Sequence, residues 1–208
     1  MKIDEVKTIK LPTTVHDLAL APGGECLWVA CLDGSIRGVD LETEEHFLLG
    51  EHSRYSSGVH ALPDGKTVIS AGYDGALLWH DVEKRSCFRR IFAHEFWSWQ
   101  SALSPDGRWL ASSTGQYLCG GYKYEPAPER EPSVKVFDTM TGGLKASFEH
   151  VPPVQSITFS RDGRYVAAGN LMGEIRVWEV ETQSLVSTWT TGDFTGWGII
   201  KGHDYPGG

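Results

Sequence analysis

SRDGRYVAAGNLMGEIRVWEVET, residues Ser160 to Thr182, is the stretch whose reading decides the fold. It opens on a polar turn, Ser160 to Arg164, and continues as an apolar run, Tyr165-Val166-Ala167-Ala168-Gly169. A glycine turn at Gly173 then leads into Ile175-Arg176-Val177-Trp178, where apolar and polar residues alternate. Alternation at period two buries one face and wets the other, so the stretch predicts two antiparallel strands of a small sheet.

The chain writes this unit four times. The first turn recurs as Ala21-Pro22-Gly23-Gly24, Leu62-Pro63-Asp64-Gly65, Ser104-Pro105-Asp106-Gly107 and Ser160-Arg161-Asp162-Gly163, at spacings of 41, 42 and 56 residues. The second half recurs as Ser35 to Asp40, Ala76 to Asp81, Ser133 to Asp138 and Glu174 to Glu179. Short strands at a period near 40 residues are the signature of a repeat array.

These repeats resemble those of the WD-repeat β-propeller family. The marks are a His ahead of the first strand, a Ser-Pro-Asp-Gly turn, an Asp-Gly turn, and Trp-Asp closing the third strand. His52, His94 and His150 each stand 11 residues before their turn's Pro63, Pro105 and Arg161. The resemblance covers nearly the whole chain and implies an all-β fold, a β-propeller of four-stranded antiparallel blades with four blades present. Blade one is placed at 15–50, blade two at 51–92, blade three at 93–149 and blade four at 150–191. An insertion at 115–131 accounts for the longest spacing. Residues 1–14 read as the N-terminal strand that closes the ring in that family, and 192–208, with Gly202-His203-Asp204, as the start of a fifth repeat. Such a chain is expected to be the front part of a larger propeller, an incomplete ring whose open edge blades can self-associate. A self-contained four-bladed ring and a ring closed by two chains are the alternatives.

Composition narrows the partners. The net charge is −8 and no run of Lys or Arg occurs, which argues against nucleic acid and anionic membrane as partners. No apolar stretch approaches the roughly 20 residues of a membrane span. Met1-Lys2-Ile3-Asp4-Glu5 is too charged for a secretion signal. Cys26, Cys31, Cys87 and Cys119 lack metal-ligand spacing, and the first three read as free, mostly buried thiols of a reduced, cytoplasmic protein.

The resemblance assigns roles residue by residue. In the family a His, a Ser or Thr, an Asp and a Trp form a buried hydrogen-bonded tetrad in each blade. Blade two offers His52, Ser70 and Asp74, with His80 in place of Trp. Blade three offers His94 and Ser112, with Glu131 and Phe137 substituted, while blade four keeps His150 and Trp178 but has Ala168 and Met172. Blade one keeps only Asp33, so no blade carries the full set. Ser, His and Asp within one blade are structural under this resemblance rather than a hydrolase triad, and no enzyme is expected. The eight histidines show no ligand spacing, so no metal is expected. The absence of a phosphate-cradling glycine loop points to no cofactor either.

Aromatics crowd the loops that meet on one face of the disc. They are Arg54-Tyr55, then Phe96, Trp97 and Trp99, then Tyr117, Tyr122 and Tyr124 in the insertion, then Phe194 and Trp197. Aromatics beside Arg are the residue types enriched at interface hot spots. The competing reading has Trp97, Trp99 and Trp197 packing their own loops. The first positions of the inner strands correspond as His16, Ser57, Trp99 and Gln155, a mixed ring at the channel mouth. The expected function is a non-catalytic scaffold that binds a protein or peptide through the loop face. The alternative is a ligand- or carbohydrate-binding or enzymatic propeller with its site at the channel mouth, where Asp17, Glu95 and Asp193 could contribute.

Overall fold

A computed structural model describes residues 7–115 and 129–190, and among them sixteen short strands form four antiparallel sheets. Blade one is β1 (Val15–Leu20), β2 (Cys26–Cys31), β3 (Ser35–Asp40) and β4 (His46–Glu51). Blade two is β5 (Ser56–Ala61), β6 (Thr67–Gly72), β7 (Ala76–Asp81) and β8 (Ser86–Phe92). Blade three is β9 (Ser98–Leu103), β10 (Trp109–Thr114), β11 (Val134–Asp138) and β12 (Leu144–Phe148). Blade four is β13 (Val154–Phe159), β14 (Tyr165–Asn170), β15 (Glu174–Glu179) and β16 (Ser184–Thr190). Each sheet is a simple meander in chain order. The fold class expected from the repeats is the one observed: propeller blades in an open, unclosed ring.

The turns explain why these residues become strands. Asp64 Oδ1 accepts the Lys66 and Thr67 amides at 2.8 and 2.9 Å, so the Pro-Asp-Gly turn satisfies its own backbone. The aspartates closing β3 and β11 do the same: Asp40 Oδ1 takes the Thr43 amide at 2.8 Å and Asp138 Oδ1 the Thr141 amide at 2.7 Å. Gly34 sits at φ +91°, and a Cβ there would lie 2.6 Å from the carbonyl oxygens of His52 and Arg54 in the next blade. Only glycine allows both that conformation and that approach.

Apolar packing between blades forms the core. Trp28, Ile36, Val59 and Val68 join blades one and two. Ile69, Trp79, Leu110 and Phe137 join blades two and three, and Trp79 Nε1 donates to Thr139 O at 2.7 Å across that seam. Trp109, Val136, Val166 and Trp178 join blades three and four. Residues 7–14 lie in no strand, yet Ile9 and Leu11 pack against Val29, Cys31 and Val39 on the far side of blade one. On blade four the register puts Ile175 opposite Trp189 and Val177 opposite Ser187, on the side turned away from Trp178 and blade three. There Trp189 is 51% exposed. Of the three thiols described, all free, Cys31 is buried, Cys26 half-buried and Cys87 exposed on the outer strand, so burial holds for Cys31 alone.

Every inner strand loses register between its first and third residues. The residue left unpaired is His16, Ser57, Trp99 or Gln155. One extra residue in a strand bends it and re-aims the side chain at that point.

Candidate functional site

Three groups of polar and aromatic side chains stand out from the blade bodies: the buried histidine networks, a groove on the loop face and a cleft along the inner strands.

In blade two, His52 Nδ1 lies 2.9 Å from Asp74 Oδ1 and its Nε2 2.9 Å from Ser70 Oγ. Ser70 Oγ lies 2.8 Å from His80 Nε2. With neutral rings, Nδ1–H of His52 donates to the carboxylate, the Ser70 hydroxyl donates to His52, and Nε2–H of His80 donates to Ser70. His80 thus supplies the donor expected of a Trp at that position, and the four-membered network is complete. Its Nδ1 has no partner, and its ring leaves no room for a Cβ on Gly50 of the neighbouring blade. Burial pushes the His80 ring down to about 4, and the charge of His52 adds to the effect. Burial alone would raise the Asp74 carboxyl, but the hydrogen bond and charge of His52 hold it well below the carboxylate range.

Blade three keeps the scheme with other atoms. His94 Nε2 lies 3.0 Å from Ser112 Oγ, and Ser112 contacts Ser98 Oγ at 2.7 Å. Glu131 takes the place of Asp: its Oε1 accepts the Glu95 amide at 2.9 Å, and Lys135 Nζ reaches its Oε2 at 2.7 Å. Burial opposes ionisation of Glu131, yet His94 and Lys135 bring its carboxyl down to about 2. In blade four Asn170 stands in, accepting the Met172 and Glu174 amides at 3.0 and 2.9 Å. The His150 ring turns to a carbonyl instead of a serine: its Nε2 lies 3.2 Å from Ala168 O, and Trp178 stacks on Phe148 at 5.0 Å. His52, Ser70, Asp74, His94 and Ser112 are therefore brought together blade by blade, whereas His150 and Trp178 meet as an edge-on ring pair at 5.9 Å.

Arg54, Tyr55, Phe96 and Trp97 fall on the loops that lead into β5 and β9, and Trp99 is the second residue of β9. Tyr73, which the sequence did not single out, sits among them: its ring stacks on Trp97 at 5.4 Å and on Trp99 at 5.9 Å, with Tyr55 at 5.9 Å. Phe96, Trp97 and Trp99 are half-buried, so much of their area goes into packing these loops, while Arg54, Tyr55 and Glu95 are exposed. Beside the cluster lies a groove of about 410 Å³ lined by Ser53, Arg54, Tyr73, Glu95, Phe96 and Trp97. Tyr117, Tyr122, Tyr124, Phe194 and Trp197 lie outside the described residues, as do Cys119 and the stretch 192–208.

The cleft, about 320 Å³, runs along β1, β5, β9 and β13 and is lined by all four unpaired strand residues, His16, Ser57, Trp99 and Gln155. Asp17, His60 and Ser101 complete its polar wall. His60 Nε2 lies 2.8 Å from Ser101 Oγ, and Asp17 Oδ2 accepts the Val59 amide at 3.0 Å. Burial brings His60 down to about 4 despite the pull of Asp17. Among the described residues no group of His, Cys, Asp and Glu is placed to hold a metal ion. Among the described residues no helix is long and apolar enough to cross a membrane.

Antiparallel four-stranded blades with a His–Ser–acid network define a β-propeller repeat chain. Residues 142–179 match the family "WD domain, G-beta repeat", a span from β12 to β15 that takes the outer strand of one blade with three strands of the next. The match bears out, over residues 142–179, the WD repeat that the motifs implied. It is 29% identical over 180 residues to telomerase protein component 1 of Rattus norvegicus, covering 84% of this chain and 6% of that protein. It is 31% identical over 137 residues to small ribosomal subunit protein RACK1 of Candida albicans, covering 64% and 39%. Pre-mRNA-processing factor 19 homolog 2 of Arabidopsis thaliana is 26% identical over 137 residues, covering 64% and 23%. The chain spans well under two thirds of the length of each of these relatives.

Proposed function

We propose that the protein is a non-catalytic scaffold that binds a protein or peptide partner through the loop face of blades two and three. The observation that carries this reading is the groove beside the Tyr55–Tyr73–Trp97–Trp99 cluster. It combines a pre-packed aromatic wall with exposed charges of both signs, Arg54 and Glu95. Rings already stacked on one another lose little freedom on binding, which favours an interface. The likeness to RACK1 supports protein partners in general. A net charge of −8 favours a protein over nucleic acid or an anionic membrane, and a cytoplasmic setting agrees with the free thiols.

The residue to change is Arg54, because it is exposed and outside the ring stack. Arg54→Glu together with Tyr55→Ala is expected to weaken partner binding at least tenfold with the melting temperature unchanged, since neither side chain is buried. Binding at the parental affinity by a variant that melts normally would remove the site from this face.

The open side of blade four, with Ile175, Val177 and Trp189, is a second surface we assign to association, here between copies of this chain.

A further inference from the structure

The inner-strand cleft and the loop-face groove have no lining residue in common, although Trp99 of the cleft stacks on Tyr73 of the groove. Three observations converge on the cleft. Its wall is built from the four residues that the strand bulges leave unpaired, so the backbone irregularity of every blade is turned toward one place. Ser57, 7% exposed, keeps its buried hydroxyl without a hydrogen-bond partner, and a buried polar group left unpaired is costly. Asp17 is the sole formal charge among the lining residues, which include no Lys or Arg.

The remaining wall is polar and offers several acceptors. The His16 Nδ1 contact with Ser56 O, 2.9 Å, places a proton on Nδ1, so in the neutral ring Nε2 is the acceptor. His60, brought down to about 4, carries no charge near neutrality. Gln155 adds a carboxamide oxygen and Trp99 an aromatic ring. An anion would meet a carboxylate and no cation there, and an apolar ligand would strip water from polar groups without replacing their bonds. A metal ion would lack a ligand set, since no such group occurs among the described residues.

We infer that the cleft binds a primary ammonium group on a slim carbon chain, its charge opposite Asp17 and its N–H groups shared among Asp17, the Ser57 hydroxyl and an acceptor from His16 or Gln155. An ammonium carries three donors and no acceptor, which suits a wall with this excess of acceptors. The Asp17 oxygen bonded to the Val59 amide leaves the second oxygen to face the ligand.

The test is a titration with butylammonium chloride, read by the NMR shifts of the Trp99 indole N–H and the Ser57 amide at neutral pH. Butanol serves as the neutral isostere. Saturable shifts confined to the cleft are expected, with butanol binding at least tenfold more weakly. Asp17→Asn keeps an oxygen for the Val59 amide and therefore the fold, and is expected to weaken butylammonium about tenfold, the scale of one charged hydrogen bond. Ser57→Ala retains the charge and is expected to cost a smaller factor. Equal binding of butanol, undiminished binding by a folded Asp17→Asn variant, or no saturable shift in the parent protein would each overturn the assignment.

Discussion

His80 shows how much one side chain decides. A histidine replaces the tryptophan of the repeat pattern, and its Nε2–H keeps the hydrogen bond to Ser70 at 2.8 Å. Ser70 is thus shared by two imidazoles, and Ser70→Ala would leave two buried ring nitrogens without their partner. A loss of about 2–4 kcal/mol is expected by chemical denaturation. The network also ties stability to pH. The folded protein holds His80 neutral down to about 4, while an unfolded histidine takes its proton near 6.5. The unfolded chain therefore binds more protons between these values, so stability is full above about pH 6.5 and falls as pH drops toward 4. His80→Gln keeps an N–H donor and cannot titrate. Its urea midpoint should fall less steeply than that of the parent across this window, and equal steepness would contradict the role given to His80. His60 leaves a residual slope of the same sign in both proteins.

At the scale of elements, glycines fix how closely blades approach. Gly34 and Gly24 both have positive φ, but a Cβ at Gly34 would press on two carbonyl oxygens of the next blade, whereas at Gly24 nothing lies within 4 Å. Gly34→Ala is therefore expected to destabilise by about 2–4 kcal/mol and Gly24→Ala by about 1 kcal/mol. Equal losses in thermal unfolding would show that the approach of the blades does not matter. Most of this level was legible in the sequence: the third strand of every blade falls within one residue of the stretch that repeats there. The inner-strand bulges were not, because one unpaired residue changes the ladder without changing the apolar pattern. Tyr73 was missed for a related reason. It follows directly on β6, where it reads as strand end, yet the turn carries it onto the face where Trp97 and Trp99 arrive from the next blade. The aromatic in Gly72-Tyr73-Asp74-Gly75 was the available signal. Asn170 hid in the same way, two residues before the turn position where an acid was sought.

For the whole molecule the two outer sides of the blade row differ. Ile9 and Leu11 cover blade one, while blade four presents Trp189 toward solvent with half-buried Ile175 opposite it. Exposed apolar area of this kind marks a contact surface. Light scattering of the purified chain is expected to show association that Ile175→Lys with Trp189→Glu abolishes; an unchanged mass distribution would release this side from the role. The loop face is the surface on which we propose that a partner protein docks. The most direct measurement places a photo-crosslinking residue at exposed Tyr55 on the loop face, or at Met140, 75% exposed in the turn between β11 and β12. The account predicts a discrete cross-linked partner from position 55, lost on Arg54→Glu, and none from position 140. The same partner captured from position 140 and not from position 55 would contradict it.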